Sequence, residues 1–191
     1  MSQHGSATAR EAADILVAGG LVLYPTEGVW GLGCDPRNPA AVRRLLQIKQ
    51  RPVEKGLILI AADEAQLASF IDMARLDAEQ QAAVRASWPG ANTWIVPASA
   101  NAPDWIRGAH SGIAVRVCAQ AEVIALCRAF GGALVSTSAN FSGQVAPTSR
   151  AELDPVLVAE VDAVLAGETG GRKTPSSIRD AASGQILRSP G

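Results

Sequence analysis

The chain has 191 residues, 48% hydrophobic and 18% charged, with a net charge of −1. That balance suits a globular protein with one sizeable core and excludes a disordered segment. No apolar run reaches the length of a membrane span, and a near-neutral charge gives no global basic field for nucleic acid.

Residues 1–7 are expected to be frayed; they are small and polar and lack an apolar signal-peptide core, so a cytoplasmic location is expected. Thr8-Ala-Arg-Glu11 is a capping-box pattern and predicts a helix to about Ala18, stopped by Gly19-Gly20. Leu21 to Tyr24 reads as a buried strand ended by Pro25, and PTEGVWGLGCDPRNP reads as a long functional loop. Asn38 with Pro39 opens a helix to about Ile48. Lys49 to Gly56 reads as irregular, and Leu57 to Ala62 as a strand. Asp63 is expected to cap a helix, and another is expected over Asp77 to Ala86.

SWPGANTW leads into a strand near Thr93 to Val96, followed by a loop over residues 97–112. Ile113 to Val117 alternates as a strand, and Ala119 to Phe130 is helical, closed by Gly131-Gly132. Ala133, Leu134 and Val135 begin a strand that empties into VSTSANFSG. Ser149-Arg-Ala-Glu152 is a second capping-box pattern. Asp162 to Leu165, Ser176 to Arg179 and Gln185 to Arg188 read as short strands. Strands and helices alternate without repeats or a linker, which predicts one α/β domain over 1–191 with a mixed sheet.

The chemistry-bearing stretches are few. The two histidines, His4 and His110, have no obvious partner, so a catalytic triad is not expected. Cys34, Cys118 and Cys127 are odd in number and lack a CxxC spacing, which argues against disulfides and zinc and for buried small hydrophobes. No carboxylate spacing suggests a metal cage. VSTSANFSG packs Ser136, Thr137, Ser138, Asn140 and Ser142 into a strand end, as a ligand loop or as a polar turn. Lys49-Gln-Arg51, if extended, turns two cations to one side and could grip a polyphosphate; the alternative is a solvated helix end. Arg116 sits between apolar neighbours in IAVRV, as half of an ion pair or as an anion receptor. GETGGRKT nearly matches a P-loop, but Arg172 stands where a glycine is required and Pro175 where the helix should start. A loop over a site is the better reading.

PTEGVWGLGCDP, KQRPVEKGLILI, WPGANTWIV, AVRV, VSTSANFSG, GETGGRKTPSSIRD and ILR occur in one order over residues 24–188. This series closely resembles the YrdC-like family of threonylcarbamoyl-AMP synthases, in its short single-domain form. The resemblance implies a twisted mixed parallel and antiparallel sheet flanked by helices, with a concave, positively lined ligand cavity. It implies that L-threonine, bicarbonate and ATP, with Mg2+, give L-threonylcarbamoyl-adenylate and pyrophosphate, for threonylcarbamoylation of tRNA adenosine 37. By the same resemblance Lys49 and Arg51 serve catalysis, and they surround ATP together with Ser138, Asn140, Ser142 and Arg188. Thr26, Arg116 and Ser176 hold threonine, while Thr93 and Ser136 line the pocket. A weak tRNA contact and hand-over to a downstream threonylcarbamoyl transferase machinery are implied, with no membrane partner. Two departures stand out: Ile60 occupies the place of a histidine near the substrate in longer members, and Gly56 replaces a common proline. The main rival reading is a non-enzymatic RNA-binding module using the same concave basic face.

Overall fold

The computed structural model describes residues 5–189. His4 and the first four residues of the expected frayed terminus lie outside them. Ser6–Ala7 do not fray. They form strand β1, parallel to Ala163–Leu165, and Arg150 donates to the Ser6 hydroxyl at 2.8 Å.

Among the described residues ten strands form one mixed sheet. In chain order they are β1, β2 (Val22–Pro25), β3 (Trp30–Gly33), β4 (Ile58–Ala61), β5 (Asn92–Pro97), β6 (Gly112–Val117), β7 (Leu134–Ser138), β8 (Ala163–Leu165), β9 (Ser177–Asp180) and β10 (Ile186–Arg188). Across the sheet the order is β1-β8-β2-β3-β7-β4-β6-β5-β9-β10. Four neighbouring pairs are parallel (β1 with β8, β2 with β8, β4 with β6, β5 with β9) and the other five are antiparallel. The expected α/β fold with a mixed sheet flanked by helices is therefore what forms.

The helices are set by their caps. Helix α1 (Ala9–Val17) carries the Thr8–Glu11 capping box, with both reciprocal bonds present. Helix α2 (Pro39–Ile48) starts on Asn38, whose side chain accepts from Ala40 N and Ala41 N. Helix α3 (Ala78–Ala86) has an Asp77–Gln80 box, α4 (Asp104–Arg107) is one short turn, and α5 (Ala121–Phe130) ends on left-handed Gly131. Helix α6 (Pro155–Ala159) is capped by Asp154. Among the described residues no helix is long and apolar enough to cross a membrane.

Three local expectations fail. Residues 30–33 are a strand, not loop: Trp30 and Leu32 enter the core while Gly31 leaves room for the Tyr24 ring on the opposite face. Asp63 caps only a 3₁₀ turn, Glu64–Leu67. The Ser149–Glu152 pattern is not a capping box, because the Ser149 side chain makes no cap bond and the Glu152 carboxylate is held chiefly by Thr148 N and Oγ1. The helix waits until Pro155, whose ring pushes the preceding residue out of helical geometry.

Alternation along the strands builds two cores. Ile113, Val115 and Val117 of β6 pack toward α2, α3 and α6, together with Val42, Leu45, Val84 and Leu157. On the other face α1 and α5 bury Leu16, Val123 and Leu126 against Val22, Ile60 and Leu134. Cys34, Cys118 and Cys127 are buried free thiols, as expected. The second face is only partly covered by helices, and the uncovered part of the sheet is the floor of a cavity.

Candidate functional site

The cavity has a volume of about 660 Å³, within the range of small-molecule sites. It begins where α1 and α5 stop. Along β4 and β7, Ile60 and Leu134 belong to the helix-covered core, and their same-face neighbours Ile58 and Ser136 line the cavity. Ile58 pairs with Ser136 on one side and Ala114 on the other; Ala114 pairs with Ile95, and Ile95 with Asp180. That row is the cavity floor. Ile60 itself is fully buried and does not line the cavity, so the position where a substrate-side histidine was expected faces helix rather than solvent.

Eight of the residues singled out in the sequence do line it: Thr26, Arg51, Arg116, Ser136, Thr137, Ser138, Ser176 and Arg188. Lys49, Thr93, Asn140 and Ser142 do not. Thr93 is fully buried behind Ser176, with its hydroxyl 2.8 Å from the Ser176 hydroxyl. Arg188 donates from Nε to Ser176 O at 2.9 Å and from Nη2 to Ser176 Oγ at 3.2 Å. Thr93, Ser176 and Arg188 thus form one connected wall. Ser142 is exposed on the loop beyond.

Lys49 and Arg51 do not face the same way. Lys49 is the helical C-cap of α2, and Gln50 has a left-handed φ of 47°, so the segment is not extended. The chain therefore turns between the two cations. The Lys49 ammonium donates to Ser138 O at 2.7 Å, to Asn140 Oδ1 at 3.0 Å and, at short range, to Asn140 O. Those three acceptors match its three protons. Asn140 is held as well by Ser138 Oγ at 2.5 Å and donates to Gln144 O at 2.6 Å. Lys49 and Asn140 are thus the inner frame of the VSTSANFSG loop. Arg51 donates from Nε and Nη2 to Gly56 O at 3.1 and 2.9 Å and reaches the cavity wall. Gly56 has φ 64°, which a proline ring cannot adopt, so glycine at this place belongs to this loop's own geometry.

Arg116 forms the ion pair that one reading of its sequence context expected, and it stands where the other reading needs it, at the cavity. It lines the cavity, and its Nη1 donates to Glu27 Oε2 at 2.7 Å in a buried ion pair. Glu27 accepts also from Ala119 N at 2.9 Å and Cys118 Sγ at 3.2 Å. The Arg116 Nε is buried without a partner. Opposed by burial but supported chiefly by Arg116, the Glu27 carboxyl is held below its usual pKa.

The GETGGRKT stretch is not a P-loop. Strand β9 follows it, and its backbone is bonded to the loop after β2, with Gly170 N to Thr26 O and Arg172 N to Glu27 O, both at 3.0 Å. It is a strap beside the cavity.

The lining is cationic: Arg51, Lys55, Arg107, Arg116 and Arg188 against one carboxylate, Asp180. Burial lowers the pKa of Arg51, while burial and then nearby Arg116 lower that of Arg188. Like charges gathered in a half-buried space, at a cost to their charged forms, are an arrangement that an anion would relieve. Lys55, Arg107, Asp180 and Glu27 carried no expected site role, and neither did His110, for want of an obvious partner. Lys55 did carry a signal, as one of only three lysines and placed in a loop.

Burial, and then Arg51, bring the Lys49 pKa down to about 8. A neutral amine keeps fewer protons to donate, so the 138–140 loop should loosen as the pH passes about 8. Turnover should fall there with a one-proton slope, and this slope should be absent in Lys49→Met. Stability should move the opposite way. An unfolded lysine titrates near 10.4, so between about pH 8 and 10.4 the unfolded chain binds the extra proton and stability rises with pH. Turnover and thermal unfolding measured over one pH series check both signs.

The Sua5/YciO/YrdC family model, described as telomere recombination, matches residues 14–189. A threonylcarbamoyl-AMP synthase of Stenotrophomonas maltophilia (strain K279a) is 56% identical over 182 residues, 95% of this chain and 98% of that protein. Among solved structures, a variant of P. abyssi Sua5 superposes with a TM-score of 0.89 at 29% identity over 96% of this chain. P. abyssi Sua5 complexed with L-threonine gives 0.83 at 29% identity over 90% of it. The chain spans about half of those two Sua5 chains, 56% and 50% of their lengths. With a family model over nearly its whole length and a relative at more than half identity, the chain belongs to the Sua5/YciO/YrdC family.

Proposed function

We propose that this cavity binds ATP and L-threonine and, with bicarbonate, makes L-threonylcarbamoyl-adenylate and pyrophosphate. The observation that carries the reading is the gathering of Arg51, Arg116 and Arg188 with Ser136, Ser138 and Ser176 around one space. Such a set suits a polyphosphate beside a carboxylate. The name of the 56% identical relative and the threonine complex of P. abyssi Sua5 support the same choice.

In this reading Arg116 receives the threonine carboxylate beside Ser176 and Thr26, and Arg51 and Arg188 face the triphosphate. The neutral threonine amine and bicarbonate give a carbamate and water. A carbamate oxygen then attacks the α-phosphorus, the α–β bridging P–O bond breaks, and pyrophosphate leaves. The protein has little proton transfer to perform. It orients two anions that would repel each other and neutralises charge that grows on the phosphates. Among the described residues no group of three or more His, Cys, Asp or Glu side chains is placed to hold a metal, and Asp180 is the one lining carboxylate. Magnesium therefore fits as part of the MgATP substrate, held by phosphate oxygens and water. The product is then passed to the machinery that modifies tRNA adenosine 37.

Pyrophosphate release is expected to require threonine and bicarbonate together, with the adenylate identified by mass. Equal release with threonine alone in CO2-free buffer would sink the mechanism. RNA binding with no nucleotide turnover would instead favour the binding-module reading.

A further inference from the structure

Glu27 holds two parts of the site at once. Its carboxylate fixes one arm of the Arg116 fork, 2.7 Å away, and is itself pinned by Ala119 N and Cys118 Sγ. Its backbone carbonyl accepts from Arg172 N at 3.0 Å, in the strap of residues 167–175. The neighbouring Thr26 carbonyl accepts from Gly170 N at 3.0 Å. The approach is close: a Cβ at Gly28 would come within 2.0 Å of Thr174 O, so only glycine lets the two segments meet. Elsewhere the strap is tied by Thr169 Oγ1 to Thr148 O at 2.6 Å and by Gln120 Nε2 to Glu168 O at 2.9 Å.

We infer that Glu27 is a positioning residue that couples the Arg116 grip on the substrate carboxylate to the closure of the 167–175 strap. The inference rests on the reading of Arg116 as the carboxylate receptor. A guanidinium offers a bidentate grip only if its plane is fixed, and the buried Glu27 carboxylate fixes it through Nη1. The Glu27 main chain cannot shift without moving the strap edge at 170–172. A carboxylate that locks Arg116 therefore also steadies the strap, and by reciprocity an ordered strap favours carboxylate binding.

The strap carries its own reporter. Arg172 and Lys173 are exposed and are trypsin sites. Trypsin cleavage at these two residues is compared in wild type and Glu27→Gln, with and without threonine, alongside calorimetric affinities for threonine and ATP. In wild type, threonine should slow cleavage. In Glu27→Gln, cleavage should be faster without ligand and no longer respond to threonine. Threonine affinity should fall about ten- to a hundredfold, the scale of a lost charged hydrogen bond, with ATP affinity nearly unchanged. Glu27→Asp keeps the charge but shortens its reach, and should move the same readouts the same way by less. It serves as the test if the glutamine variant does not fold. Unchanged ligand-free cleavage in the variant overturns the coupling even where threonine binding by wild type upholds the functional reading. Equal loss of threonine and ATP affinity also overturns it, since that marks a merely structural residue. Wild type that binds ATP but no threonine overturns the functional reading and this inference together.

Discussion

Lys49→Ala should lower turnover by about a hundredfold or more, while Lys173→Ala should lower it far less. Each lysine lies in a stretch that could be taken for a phosphate loop. Only Lys49 is built into the site. Its ammonium meets Ser138 O, Asn140 O and Asn140 Oδ1, and it is only 6% exposed. Removing it takes the ammonium from three acceptors; Asn140 Oδ1 keeps Ser138 Oγ, but the Ser138 and Asn140 carbonyls lose this donor, each at a cost of about 1–3 kcal/mol where water cannot replace it. The loop they belong to continues strand β7, whose Ser136 and Ser138 line the cavity. Turnover and melting temperature should therefore fall together. Lys49→Arg should rescue poorly, because three acceptors converging on one nitrogen suit a compact ammonium and not a planar fork. Lys173 is exposed, and its removal should change stability by no more than about 0.5 kcal/mol. Turnover, ATP affinity and thermal unfolding are measured on all three variants at one magnesium concentration. Loss of ATP binding in Lys173→Ala with wild-type behaviour of Lys49→Ala would place the nucleotide at the wrong loop.

Arg116→Ala should weaken threonine binding by about 2–5 kcal/mol and leave ATP affinity much less affected. It should also destabilise the fold, because Glu27 loses its buried partner; breaking such a pair costs about 3–5 kcal/mol. The two effects are separable. Arg116→Lys returns a cation to Glu27 and should recover most of the melting temperature. It does not return the fork, so threonine binding should stay weak. Calorimetry with both ligands and thermal unfolding of both variants decide the matter. If lysine restores threonine affinity along with stability, Arg116 is a structural half-pair and the carboxylate is received elsewhere.

Much of the fold follows from local rules that a sequence displays directly. Thr8–Glu11 and Asn38-Pro39 announce helix starts because their bonds span only a few residues, and Gly131 ends α5 for the same reason. The alternation in IAVRV separates an apolar face from the face that carries Arg116, so the presence of a cation at a special place was legible as well. The ordered motifs identified the stretches that come together around the cavity. What each side chain does there was settled by partners far along the chain. Glu27 meets Arg116 across 89 residues, Lys49 meets Ser138 and Asn140 across 89 and 91, and Thr93 meets Ser176 across 83. Lys49 and Arg51 diverge because one residue between them, Gln50, is left-handed, a state that no local pattern here required. Trp30–Gly33 is a strand because β2 and β7 flank it, and Ile60 is shut away from the cavity because α1 and α5 cover that stretch of the sheet. Short-range bonds set which elements form. The register of the sheet and the placement of its helical cover set which side chains reach the cavity and which stand behind them.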